Sequence, residues 1–156
     1  MRAISRRDLC GALSFFLGAA SAAPGEEQPL SEQETHRKAT LLEPEVLSPD
    51  RLPVTTRANG AKSWNILDGV LATGETIALH ESLQPAGAAP NPPHSIQHSE
   101  LILVQEGTLL FEYDGGSEKV GPGGVIYVAF GTRHAAKNIG DGAARYFVLA
   151  IGGDTT

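Results

Sequence analysis

His94-Ser95-Ile96-Gln97-His98-Ser99-Glu100-Leu101-Ile102-Leu103-Val104-Gln105-Glu106-Gly107 is the stretch on which the fold turns. Three residues able to ligate a cation, His94, His98 and Glu100, stand within seven positions, ahead of an apolar run that breaks at Glu106-Gly107. Imidazole nitrogen together with carboxylate oxygen suits iron, manganese, zinc, nickel or copper. A straight strand rises about 3.3 Å per residue, which would hold His94 and Glu100 roughly 20 Å apart. The segment must therefore bend or bulge if both serve one ion, and Pro90, Pro92 and Pro93 just ahead of it suit such a corner.

Outward from this stretch the chain reads as short strands and turns. Residues 64–67 make a strand ended by Asp68-Gly69, and residues 75–83 make another, followed by a proline- and glycine-rich loop over 84–93. Residues 108–113 break at Asp114-Gly115-Gly116, and residues 125–130 and 144–151 complete the set. No stretch beyond the N-terminus keeps a helical period over three turns. Eighteen glycines and ten prolines in 156 residues supply the turns such spacing needs, so the class expected is all-β, a sandwich or barrel. Residues 101–104 and 146–151 are apolar on both faces, the pattern of strands buried from inside and outside alike. A partner subunit, or a strap formed by the proline-broken apolar pieces over 41–54, would supply the outer cover, and a homodimer is expected.

Residues 94–138 resemble the two motifs of the cupins, whose fold is a jelly-roll barrel. In the first motif His94 takes the first histidine position, Glu100 the glutamate and Gly107 the glycine. In the second, Gly123, Gly131, His134 and Asn138 fall in register, with Ala129 where the family has proline. The second histidine of the first motif should stand at position 96, and this chain has Ile96. His98, two residues on, is the candidate replacement. The resemblance implies a metal site of His94, His98, Glu100 and His134, or of His94, Glu100 and His134 if His98 points elsewhere. Iron or manganese is favoured as the divalent ion, with zinc, nickel or copper within the reach of the same donors. Catalysis, where there is any, would come from the metal, with Glu100 as ligand or, when released, as base.

The N-terminus has the form of a targeting segment. Arg2, Arg6 and Arg7 precede an apolar run over 9–17, and Ala20-Ser21-Ala22 offers a cleavage site. About fourteen apolar and small residues are too few to cross a bilayer comfortably, so a signal peptide over 1–22 is expected. Ser5-Arg6-Arg7-Asp8-Leu9 resembles the twin-arginine signal of bacteria, which implies export to the periplasm. Cleavage there removes Cys10, the only cysteine, and takes the formal net charge from −6 to −8. The remaining chain divides into a polar leader and strap over 23–58, a barrel over 59–152 and a tail over 153–156.

These features narrow the function classes. An acidic chain without a basic run is a poor partner for nucleic acid or for anionic membrane, and no membrane contact is expected of the mature form. Without a cysteine there is no disulfide, thiolate ligand or cysteine nucleophile. Gly121-Pro122-Gly123-Gly124 lacks the lysine and hydroxyl residue of a phosphate loop and reads as a turn. His80 and His36 read as structural, and Tyr113, Tyr127 and Phe130 as core or pocket wall. Two functions remain: a metal-dependent enzyme acting on a small molecule, of oxygenase or isomerase type, and a barrel that binds a small ligand without catalysis.

Overall fold

A computed structural model describes residues 39–154. The signal peptide expected over 1–22, the leader up to residue 38, and His36 lie outside the described residues. Among the described residues, eleven strands and one 3-10 turn (Pro49–Arg51) make up the elements: β1 Thr40–Leu41, β2 Val54–Thr56, β3 Lys62–Leu71, β4 Thr76–Gln84, β5 His94–Ser95, β6 Gln97–Glu106, β7 Leu109–Tyr113, β8 Gly116–Val120, β9 Val125–Val128, β10 Arg133–Asn138 and β11 Ala144–Asp154.

They form two sheets. The larger runs β1-β3-β4-β11-β6-β9, with β2 also on β3, and the smaller runs β5-β10-β7-β8. This is the all-β jelly-roll barrel that the resemblance implied. Residues opposed across antiparallel strands share a face, so the register sorts inside from outside. His80, Val148, Ile102 and Ile126 line up across one inner row, and Ala78, Ala150, Glu100 and Val128 across the next. The core gathers Ile102, Val104, Leu109, Phe111, Ile126, Val128, Tyr146 and Val148, with Leu109 and Val128 the largest fully buried side chains.

The outer face of the larger sheet is apolar as well. Leu67, Leu79, Leu149, Leu101 and Tyr127 cross five strands in one row, with Phe147, Leu103 and Val125 beside them. Leu103, Val125 and Tyr127 are exposed. At the two ends of the 41–54 segment, β1 and β2 pair with β3 as edge strands and extend the sheet. Tyr127 and Phe130, expected in the core or pocket wall, are 66% and 63% exposed. Tyr127 takes the outward parity of β9, on which Ile126 and Val128 face inward, and Phe130 lies beyond the end of that strand.

One buried polar knot ties the sheets together. The Asn138 side chain donates to the carbonyls of Gln84 (3.0 Å) and Gly142 (2.8 Å) and accepts from the Gly140 N–H (3.0 Å). Gln84, at the end of β4, accepts from the Asn138 backbone N–H and donates to the Tyr146 hydroxyl at 2.7 Å. Each of these groups would be costly to bury alone, and the knot satisfies them jointly.

Candidate functional site

The bend that the spacing required occurs at Ile96. β5 belongs to the smaller sheet and β6 to the larger, so the chain changes sheet between Ser95 and Gln97. The corner sets His94 directly opposite His134 on β10, with ring centroids 4.9 Å apart. Beyond it, alternation along β6 turns His98, Glu100, Ile102 and Val104 inward. Ile96 is buried in the apolar core, so the position of the missing histidine is filled by packing.

Glu100 stands between two imidazoles. His98 Nε2 lies 2.9 Å from Oε1, and His134 Nε2 lies 3.5 Å from Oε2. The Thr132 carbonyl lies 3.3 Å from His134 Nδ1, and the Pro92 carbonyl stands at the same distance from His94 Nδ1. A carbonyl on Nδ1 favours the tautomer whose Nε2 lone pair is available to a cation, the support that metal-bound histidines use. The donor types are those that suit a divalent ion, but the Nε2 atoms of His98 and His134 are already turned to the carboxylate. Among the described residues, however, no three histidine, cysteine or carboxylate side chains form a ready group around one point. Each Glu100 oxygen faces one histidine, so holding an ion requires at least one of these contacts to open.

The electrostatics follow from burial and this pairing. Burial works against the Glu100 carboxylate, yet the hydrogen bonds and charge of His134 and His98 outweigh it and hold its pKa below 4.5. For His134, burial disfavours the imidazolium, but the Glu100 hydrogen bond, the Thr132 carbonyl and the Glu100 charge together raise its pKa above 6.5. His80 moves the other way: burial dominates and Arg57 adds to it, against the pull of Glu100, so its pKa falls below 6.5. His134 thus stabilises the fold below pH 6.5, and this is lost as pH rises through its folded value. His80 contributes above pH 6.5, and this is lost as pH falls through its folded value. In chelator-treated protein, NMR titration should find His134 protonating above pH 6.5 and His80 below it; the reverse order would contradict the pairing.

The site opens into a cavity of about 210 Å³ between the sheets, with His80, Gln84, Glu100, Ile102, His134 and Tyr146 in its walls. That is below the roughly 300–1,000 Å³ of sites for drug-sized molecules, so the space suits a small one. His94 borders it, whereas His98 reaches Glu100 from the side away from the lining. His80, read from the sequence as structural, is a wall residue. Its inward direction follows from pairing with Val148, which no local pattern reveals.

A family model described as "Cupin domain" matches residues 79–151. No curated protein sequence matches the chain. Solved structures do. An RmlC-like cupin from Shewanella frigidimarina superposes with a TM-score of 0.58 at 17% identity, over 72% of this chain and 95% of that one. The polyketide cyclase RemF from Streptomyces resistomycificus gives 0.56 at 20% identity, over 70% and 80%. KdgF from a Halomonas species gives 0.57 at 15%, over 68% and 94%. At these identities the likeness carries the fold alone.

Proposed function

This chain belongs to the cupin superfamily, and from that premise we propose that it is an exported cupin holding a divalent metal beside a small-molecule cavity. The observation that carries the reading is the approach of His98 and His134 through Nε2 to the two oxygens of Glu100, with the His94 ring tilted against that of His134. His94, His98, Glu100 and His134 would hold the ion, iron or manganese by preference and zinc, nickel or copper by the same donors. When bound, it would supply a Lewis acid or a centre for oxygen chemistry. Around it the chain's own groups act: His80 offers a hydrogen bond to a bound molecule, Ile102 and Val148 exclude water, and Glu100 is the base if it releases its histidines. An oxygenase or isomerase is the enzyme reading.

A second reading, a barrel that retains a small ligand without catalysis, is favoured by Ile96, whose burial in the core removes a usual ligand. Manganese(II) uptake by chelator-treated protein tests the choice. About one ion per chain is expected for the metal reading, and no uptake of either manganese(II) or iron(II) would leave the binding barrel.

Export to the periplasm is proposed on Ser5-Arg6-Arg7-Asp8-Leu9 and the apolar run behind it. A homodimer is proposed through the outer face of the larger sheet, where a second copy would bury Leu103, Val125 and Tyr127. Sedimentation velocity of the intact protein tests that assembly.

A further inference from the structure

The mouth of the cavity carries a cation that the metal reading does not use. Arg57 follows β2, in a turn closed by its backbone N–H to the Ala61 carbonyl (2.8 Å) and by the Gly60 N–H to the Arg57 carbonyl (3.0 Å). Two side chains fasten this turn to the loop between β4 and β5. Arg57 Nη1 donates to Asn91 Oδ1 at 2.6 Å, and Asn59 Nδ2 donates to the Ala89 carbonyl at 2.8 Å. Arg57, Asn59, Ala89 and Asn91 all border the cavity. The guanidinium is thus tied to Asn91 at the border of the cavity.

Among the described residues its charge is not matched by an acid: no carboxylate forms an ion pair with Arg57, although the chain holds 18 acidic residues against 12 basic ones. Among those residues the only carboxylate bordering the cavity is Glu100, and its two oxygens face His98 and His134. A guanidinium presents five donors in a planar fork, and Asn91 takes one of them. What matches the remaining fork is a carboxylate, which can accept two parallel bonds. Deeper in the cavity, His80 offers a polar contact, and Ile102 and Val148 give an apolar wall.

Resting on the small-molecule reading of this cavity, we propose that Arg57 reads the anionic group of the ligand and that the ligand is a small organic acid. Its carboxylate lies against the guanidinium at the mouth, and the rest of the molecule reaches inward towards His80 and Glu100. Asn91 is the positioning residue, holding the fork over the opening.

Calorimetric titration of the intact, chelator-treated protein tests this, with malonate as the probe, malonamide as its neutral counterpart and sulfate as an inorganic anion. Malonate is expected to bind at least about tenfold more tightly than malonamide or sulfate, the scale of a charge-assisted pair. Arg57→Gln should weaken malonate about tenfold or more with little change in melting temperature, because the side chain is exposed. Arg57→Lys, which keeps the charge without the fork, should fall between, and Asn91→Ala should lower affinity without removing it. Equal affinity for malonamide, equal affinity for sulfate, no malonate binding, or malonate binding unchanged in Arg57→Gln would each overturn the proposal. The metal reading fails separately. Malonate bound only with manganese(II) present, and equally by Arg57→Gln, would keep the metal and remove the role of Arg57. Malonate bound without metal through Arg57, in a protein that takes up no ion, would do the opposite.

Discussion

Gly107→Val is expected to leave most of the protein unfolded, or to lower its stability by about 3–5 kcal/mol, when followed by urea or thermal denaturation. Two costs coincide at this position. Its φ is +76°, in the left-handed region that costs a side-chain-bearing residue about 1–2 kcal/mol. A Cβ built there would also stand 2.7 Å from both the Ala143 carbonyl oxygen and the Ala144 Cα, and 2.9 Å from the Ala144 Cβ. Backbone cannot swing aside as a flexible side chain can, so overpacking adds about 1–3 kcal/mol, and more for a β-branched residue. Such a sum is a large fraction of the roughly 5–15 kcal/mol by which domains are typically stable. Gly131→Ala is the matched control. Its φ is +78°, but nothing lies within 4 Å of an added Cβ, so only the conformational cost of about 1–2 kcal/mol should appear. Equal losses in the two variants would mean that the close approach of Gly107 to β11 is not what holds that corner.

Asn138→Ala is the second large effect, an expected loss of about 2–4 kcal/mol. The substitution removes both donors and the acceptor of a side chain only 4% exposed. It strips partners from the carbonyls of Gln84 and Gly142 and from the Gly140 N–H, where water has little access. A buried polar group left unpaired costs about 1–3 kcal/mol, and partial relaxation of the 139–143 turn limits the sum. Asn138→Asp should be at least as damaging, since it keeps the acceptor for Gly140 but loses both donated bonds and brings in a buried charge. A loss below about 0.5 kcal/mol for Asn138→Ala would contradict the view that this knot joins the two sheets.

Both residues belong to the part of the fold that is legible in the sequence. Gly107, Gly131, His134 and Asn138 fall at motif spacings because each meets a fixed geometric demand: a left-handed turn, an inward imidazole, a capped corner. The corner between His94 and Glu100 is readable from distance alone, since a straight strand could not bring the two together. Other features depend on register. His80 faces the cavity because it pairs with Val148, itself opposite Ile102, and a short apolar stretch gives no hint of which parity points inward. Tyr127 and Phe130 look like core residues by type but end exposed, Tyr127 through the outward parity of β9 and Phe130 beyond that strand's end. The strand over 64–67 extends to Lys62–Leu71, running through Asp68-Gly69, which read as a turn. The reversal comes later, where the Leu71 N–H bonds to the Glu75 carbonyl and Gly74 takes φ +101°. Arg57 carries no local signal either; only folding brings its turn to the loop that holds Asn91.

The metal content of the purified protein, compared with that of His134→Ala and His98→Ala, is the measurement that bears most directly on the proposed centre. The protein should be prepared without a histidine tag and analysed for iron, manganese, zinc, nickel and copper. About one ion per chain is expected in the parent protein and little in either variant, because His98 and His134 face the two oxygens of Glu100. Loss with His134→Ala alone would confine the centre to His94, Glu100 and His134 and leave His98 as a residue that holds Glu100 in place. A parent protein that carries no metal, and takes up none when offered iron(II) and manganese(II), would contradict the proposed metal centre.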